Sequence, residues 1–364
     1  MSNEEKGGEK HEESDLSYST GWVANGLSWS PSDDVPFCFA VSSYIQSYKN
    51  YVDVVEKDDG GRLVCRARWE HCYPPTKTMF SPKRMSGEFI ITTADYLRLW
   101  EITPSEAGDG AARGPGEDPA RKGRGGKERG GDGGGGEVLR SKVAIKRVFD
   151  NGKPNDFCSP VTSCDWSAEE LGTVACSSID ATVTIWDLER GVQKTKLMAH
   201  DKDVYDVAFA SAHTFASCGA DGSVRFFDLR EMDHSTILYE TPALHPLLRV
   251  AWNQQDANYI STFGIDGLHA VVIDVRYPTV PASLLSSRHQ LPINGMAWSP
   301  QSAQNICTVG EDGVVCIWSA NGEVGVSLFQ YTCGVPINNV AWRNTNKEDW
   351  IAITTGEGAK VLRL

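Results

Sequence analysis

Residues 216–230 read ASCGADGSVRFFDLR. Ala216 to Gly219 and Ser223 to Phe227 are strand-like runs, and Ala220-Asp221-Gly222 between them tolerates positive φ, so the stretch is a β-hairpin. One hairpin decides little, but this one recurs. Aligned on the turn acid, the chain offers TTADYLRLW (Asp95), SSIDATVTIWDLERG (Asp180), GADGSVRFFDLR (Asp221), GIDGLHAVVIDVR (Asp266) and GEDGVVCIWSANG (Asp312). Twelve to fifteen residues before each acid another strand ends in a bulky aromatic: Phe80, Trp166, Phe209, Trp252 and Trp298. Trp29 and Trp342 end similar strands in a first and a last unit whose turns lack the Asp, which makes seven units. From Trp166 onward the aromatics are 43, 43, 46 and 44 residues apart, the period of four-stranded propeller blades. The fold class expected is all-β, a seven-bladed β-propeller.

Length agrees with that period. Without the low-complexity stretches 1–15 and 101–137, about 312 residues remain, about 45 per blade. A closed ring of this size is one domain, because each blade buries its faces against two neighbours. No run of about 18 apolar residues is present, and the start MSNEEKGGEKHEESD is acidic and polar, so neither a membrane span nor a signal peptide is expected. The ten cysteines contain no C-x-x-C pair and mostly sit inside apolar strand runs, as Cys316 does in VVCIW; they read as small core hydrophobes. No N-x-[ST] sequon occurs, which fits an intracellular protein.

Two stretches stand outside the repeat. Residues 1–14 form an acidic tail expected to be disordered, and residues 15–364 form the propeller, interrupted by a disordered Gly- and charge-rich loop at about 103–136. That loop leaves after Trp100, at the end of a third strand, and re-enters at VLRSKVAIKRVFD as the fourth. The last unit supplies only three strands before Leu364, and an open edge there invites aggregation. DLSYSTG at 15–21 is the spare strand, expected to pair with residues 360–364 and complete the last blade.

The blades resemble WD40 repeats, whose His, Ser/Thr, turn Asp and Trp form a buried hydrogen-bonded network. His289, Thr308, Asp312 and Trp318 match in the sixth blade; His200, Ser217 and Asp221 match in the fourth, with Phe227 in place of Trp. A structural role is what that resemblance implies for them. SSIDATVTIWDLERG, KLMAHDKDVYDVAFA, GADGSVRFFDLREMDHSTILYE and HPLLRVAWNQQDANYISTFGIDG more narrowly resemble the TRANSPARENT TESTA GLABRA and LIGHT-REGULATED WD proteins of plants. They equally resemble an animal DDB- and cullin-associated WD40 factor homologous to an anthocyanin regulator. The resemblance breaks at 101–137.

What it implies is a non-enzymatic scaffold of the nucleus and cytoplasm, acting in transcription regulation or as a cullin-RING ubiquitin ligase receptor. Implied partners are bHLH and MYB transcription factors, a DYRK-type kinase or a DDB-cullin adaptor. The residues agree on the negative side: no Ser/His/Asp set, no metal-spaced ligands and no phosphate loop is found, so no cofactor and no catalytic residue is expected. Asp228-x-Arg230 recurs one blade later as Asp274-x-Arg276. In cullin-linked WD40 proteins a W-D-x-R box places its Arg just past the third strand against the DDB adaptor; both copies here lack the Trp. The other reading of these pairs is an intramolecular strut. Both arginines are expected on one face of the ring, the face from which the loop leaves. RKGRGG and KERGG resemble RNA-binding RGG segments, which offers an RNA-associated scaffold as the alternative. The loop's eight acids against six bases, and a net charge of −13, argue against direct nucleic-acid binding. A monomer is expected.

Overall fold

The computed structural model describes residues 16–32, 37–83, 85–105, 141–150, 159–343, 349–356 and 358–364. Among them are 28 strands in seven four-stranded antiparallel sheets, and no helix. The blades are 24–71, 77–149, 161–198, 204–240, 247–285 and 293–332, and the seventh is 337–363 plus Leu16–Ser19. Every blade boundary falls where the aromatic period places it, and the fold is the seven-bladed propeller.

Burial falls steeply from the second to the outer strand in blades such as the third. Second strands such as Cys38–Ser43 and Thr173–Ser178 are buried throughout, whereas the outer strand Val192–Met198 is mostly exposed. The sequence shows why: second strands are continuous runs of small and apolar residues, and the outer ones interleave Lys and Gln. The apolar cores lie between blades, not inside them. One cluster joins Phe89, Leu99 and Phe149 of blade 2 to Trp166, Val174 and Trp186 of blade 3. Equivalent clusters fill each of the other interfaces, including blade 7 against blade 1.

Leu16–Ser19 is the outer strand of the last blade, antiparallel to Gly358–Arg363. The register differs from the expected one. Leu16 faces Val361 and Ser19 faces Gly358, so the pairing covers 358–361 and not 360–364. The last strand already starts at Gly358, opposite Thr355, and runs to Arg363 opposite Trp350. Tyr18 then reaches across to blade 1, where its hydroxyl donates to the Asp53 carboxylate at 2.7 Å. Asp53 is fully buried and also accepts two bonds from Arg68, at 2.7 Å each. Burial, with the Asp53 charge beside it, pushes the Tyr18 phenol well above its ordinary range. Around the ring closure Trp29 donates to the Ala341 carbonyl and Asn338 to the Ala24 carbonyl.

The insertion leaves and returns where expected, between third and fourth strands of blade 2. Its composition misplaces the boundary: Leu97–Pro104 runs four residues past Trp100, and Thr103 and Pro104 pair with Lys142 and Ser141. The acidic tail at 1–15 and the bulk of the loop, 106–140, lie outside the described residues. Of the cysteines described, Cys38, Cys65, Cys164, Cys176, Cys218, Cys307 and Cys316 are buried and form no disulfide. Burial pushes the Cys38 and Cys164 thiols up to about 12, as befits core residues.

Candidate protein-interaction site

Strand alternation assigns each turn to one end of the ring. Turns joining first to second and third to fourth strands share one end; the other turns share the opposite end. Asp228 and Asp274 close the third strands Ser223–Asp228 and Ala270–Asp274, so the two Asp-x-Arg turns belong to the first end, as does the exit of the insertion after Pro104.

The two turns are built alike. Asp228 Oδ1 accepts the Arg230 backbone N–H and its Nε–H, both at 2.9 Å, and Oδ2 accepts Nη2–H. Asp274 Oδ1 accepts the same two groups of Arg276 at 3.0 and 2.9 Å, and Oδ2 accepts Nη2–H at 2.6 Å. Each Asp therefore locks both the turn and the arginine rotamer. The Arg230 side-chain bonds, then its backbone N–H, hold the Asp228 carboxyl down at about 2, and Arg276 lowers Asp274 in the same way. The Arg230 side chain stays 66% exposed and that of Arg276 50%. Arg276 lies between the rings of Tyr259 and Tyr277, at 6.0 and 5.9 Å. Tyr277 itself is 71% exposed, with Val280 and Met232 also exposed on the same turns. The geometry thus contains the intramolecular pair and, at the same time, a presented guanidinium.

Blade 3 adds a looser relative that sequence reasoning passed over. In IWDLERG, Asp187 accepts the Arg190 backbone N–H at 2.9 Å, while the side-chain contact is 3.9 Å. The extra residue between Asp and Arg hid it.

The opposite end carries the expected networks. His200, nearly fully buried, places Nδ1 3.0 Å from both Asp221 oxygens and Nε2 2.8 Å from Ser217 Oγ. Arg225 joins Asp221 to Asp201. Burial alone would raise the Asp221 carboxyl; the bonds from His200 and Ser223 outweigh it and hold the group well below the usual carboxylate range. Phe227, standing for Trp, stacks on Phe215 at 5.0 Å. In blade 6 His289 contacts Asp312 at 3.1 Å and Thr308 at 2.8 Å, and Trp318 donates to Thr308 at 2.8 Å.

A third network was missed. His71 meets Thr92 at 3.1 Å, and Trp100 donates to Thr92 at 2.8 Å. The signal was present: His71 stands nine residues before Phe80, as His200 does before Phe209 and His289 before Trp298. The acid differs, since Asp95 pairs with Arg98 and His71 Nδ1 turns to the Tyr73 carbonyl at 2.6 Å. Burial lowers the His71 imidazole to about 4.

All three histidines have their ring nitrogens committed to the fold. Among the described residues no group of three or more His, Cys, Asp or Glu could hold a metal ion. The chemistry this arrangement offers is recognition, through rigidly held arginines and exposed aromatic and aliphatic side chains.

Comparison with known proteins agrees with the architecture. The family "WD domain, G-beta repeat" matches residues 191–228 and 282–319, which contain the turn acids and third strands of blades 4 and 6. A WD repeat-containing protein of Saccharomyces cerevisiae is 30% identical over 77% of this chain and 53% of its own length. One of Schizosaccharomyces pombe is 29% identical over 85% and 70% respectively. A Dictyostelium discoideum protein, the DDB1- and CUL4-associated factor 7 homolog, is 38% identical over 95% of this chain and 98% of its own. With that relative aligned almost end to end, the chain belongs to the WD40-repeat family that includes the DDB1- and CUL4-associated factor 7 homolog.

Proposed function

We propose that this propeller is a non-enzymatic adaptor, a substrate receptor that joins a DDB-type subunit of a cullin-RING ubiquitin ligase through Arg230 and Arg276. The observation that carries the reading is the duplicated Asp-x-Arg turn, with two guanidinium groups fixed and exposed at one end of adjacent blades. Pairs this exposed add little to folding, so an internal strut is a poor account of them. A preset arginine fork loses less side-chain freedom on binding, and arginine is enriched among the residues that dominate interfaces. The name of the Dictyostelium relative favours the same partner. MYB and bHLH factors and DYRK-type kinases remain client classes within this reading, on the strength of the sequence resemblance, with nucleus and cytoplasm as the compartments.

The test is calorimetric binding of the full chain to a DDB-type adaptor. Arg230→Ala with Arg276→Ala is expected to weaken it at least about tenfold with the melting temperature little changed. A stable double variant that binds as before moves the adaptor surface to the His–Asp end of the ring. A double variant that unfolds returns the pairs to the role of struts.

A further inference from the structure

The outer strand of the sixth blade, Val326–Thr332, is unlike the other long outer strands. No charged residue lies anywhere between Glu323 and Arg343. The outer strands of the first four blades all carry charge, from Glu240 in Ser235–Glu240 to Lys142, Lys146 and Arg147 in Ser141–Phe149. Charged side chains of this kind keep an exposed edge from pairing with another chain, and the sixth blade lacks them. The fifth blade is protected differently. Its outer strand is only Ser283–Leu285, and there Leu284 donates its N–H to the Glu323 carbonyl at 2.9 Å and accepts the Gly325 N–H at 3.0 Å. Those bonds also anchor the start of Val326–Thr332.

The uncharged edge is apolar and open. Val324, Val326 and Leu328 are each more than half exposed, and Phe329 is exposed beside them. Val326–Thr332 ends the order of its sheet, and among the described residues no strand pairs with its far side. In an antiparallel sheet every second residue of such a strand turns its N–H and C=O outward, so the edge presents backbone donors and acceptors together with apolar side chains. The pairing slips once, at Leu328, and from Phe329 opposite Ile317 to Thr332 opposite Val314 it is regular. A neighbouring strand satisfies both the outward backbone groups and the apolar surface.

Which strand fits follows from charge. The edge has nothing to steer or select a charged partner. A second copy brings an equally neutral edge, so antiparallel pairing sets no like charges face to face although each chain carries −13. With a two-fold axis at Phe329, Phe329 meets its own counterpart, Leu328 meets Gln330 and Val326 meets Thr332, an isologous contact. We propose that Val326–Thr332 pairs antiparallel with the same strand of a second copy, joining two four-stranded blades into one continuous sheet and two rings into a weak, concentration-dependent dimer. The monomer expected from the sequence is the dilute form. The contact is separate from Arg230 and Arg276 and goes beyond the adaptor reading, so either can fail alone.

Sedimentation velocity of the full chain from about 1 to about 300 µM reads the state directly. A reversible shift from monomer to dimer is expected, weak because one strand pair is a small contact. Leu328→Lys and, separately, Leu328→Glu are each expected to raise the dissociation constant at least about tenfold, with melting preserved because the side chain is exposed. Mixing the two variants in equal amounts is expected to restore association to within about threefold of wild type, since residue 328 of one copy lies diagonally across from 328 of the other. Amide hydrogen exchange at 326–332 is expected to slow as the wild-type dimer forms. A monomer throughout the range leaves the edge to a different partner and overturns the proposal. A dimer that neither variant weakens, or that the mixture fails to restore, does the same. So does exchange at 326–332 that is already slow in the dilute chain and quickens when 106–137 is removed, which gives the edge to the chain's own segment.

Discussion

His71 is buried and Asp165 half-buried, and their titrations pull stability in opposite directions. Burial lowers His71 to about 4, below its ordinary 6.5, so the unfolded chain binds the proton more readily and stability falls as pH drops from 6.5 to 4. Burial raises Asp165 to about 6 from an ordinary 3.8, the bond from the Phe209 N–H offsetting it only in part. Its folded form prefers the proton, so stability is lost as pH rises from 3.8 through 6. Each shift is worth on the order of 3 kcal/mol, and over pH 4–6 the two slopes oppose. Denaturant unfolding of His71→Gln and Asp165→Asn between pH 4 and 7 checks this. Relative to wild type, the first is expected to lose stability as pH rises and the second as pH falls. Parallel profiles for wild type and both variants would remove the burial account.

The blade is the scale at which the sequence spoke most clearly. A bulky aromatic every 43 to 46 residues and a turn acid behind it located the sheets, because the period reports a repeated packing unit. Contacts set by register were not legible. Nothing in DLSYSTG announces that Tyr18 will find Asp53, 35 residues on and in another blade, or that Ser19 will face Gly358. Composition also drew the insertion too wide, since Glu101 to Pro104 read as charged loop yet extend a strand whose partner lies beyond the loop. The His71 network was readable from spacing and escaped notice because its acid binds Arg98 instead. Gly358 offers a sharp test of the closing strand. Its φ is +146°, and an added Cβ would strike the Tyr18 carbonyl. Gly358→Ala is expected to loosen Leu16–Ser19 and to destabilise the chain by about as much as deleting residues 1–20, while deleting 1–13 leaves melting and solubility intact. Equal melting of the two deletions would deny the strand its role.

Across the whole molecule the core is distributed over seven interfaces built from blade residues, and the strand ends that flank the insertion, Thr103 and Pro104, pair with Lys142 and Ser141. Replacing 106–137 with a short Gly-Ser linker is therefore expected to leave one cooperative transition within a few degrees of wild type, and limited proteolysis of the wild type to cut inside that segment first. Loss of cooperativity would mean that the insertion packs against the blades.

The pairing of Leu16 with Val361 also has a consequence in time. A ribosome adding roughly 5 to 20 residues per second needs tens of seconds or more to travel between those two positions. Throughout that interval the first blade has a neighbour on one side only, and Phe37, Phe39 and Val41 wait for Ala352, Ala359 and Val361 to be made. The nascent chain carries an unfinished interface until Ala352, Ala359 and Val361 clear the exit tunnel. Slow or stalled synthesis before Val361 then lengthens the exposure of an apolar edge, and soluble yield becomes a matter of translation rate as well as of stability.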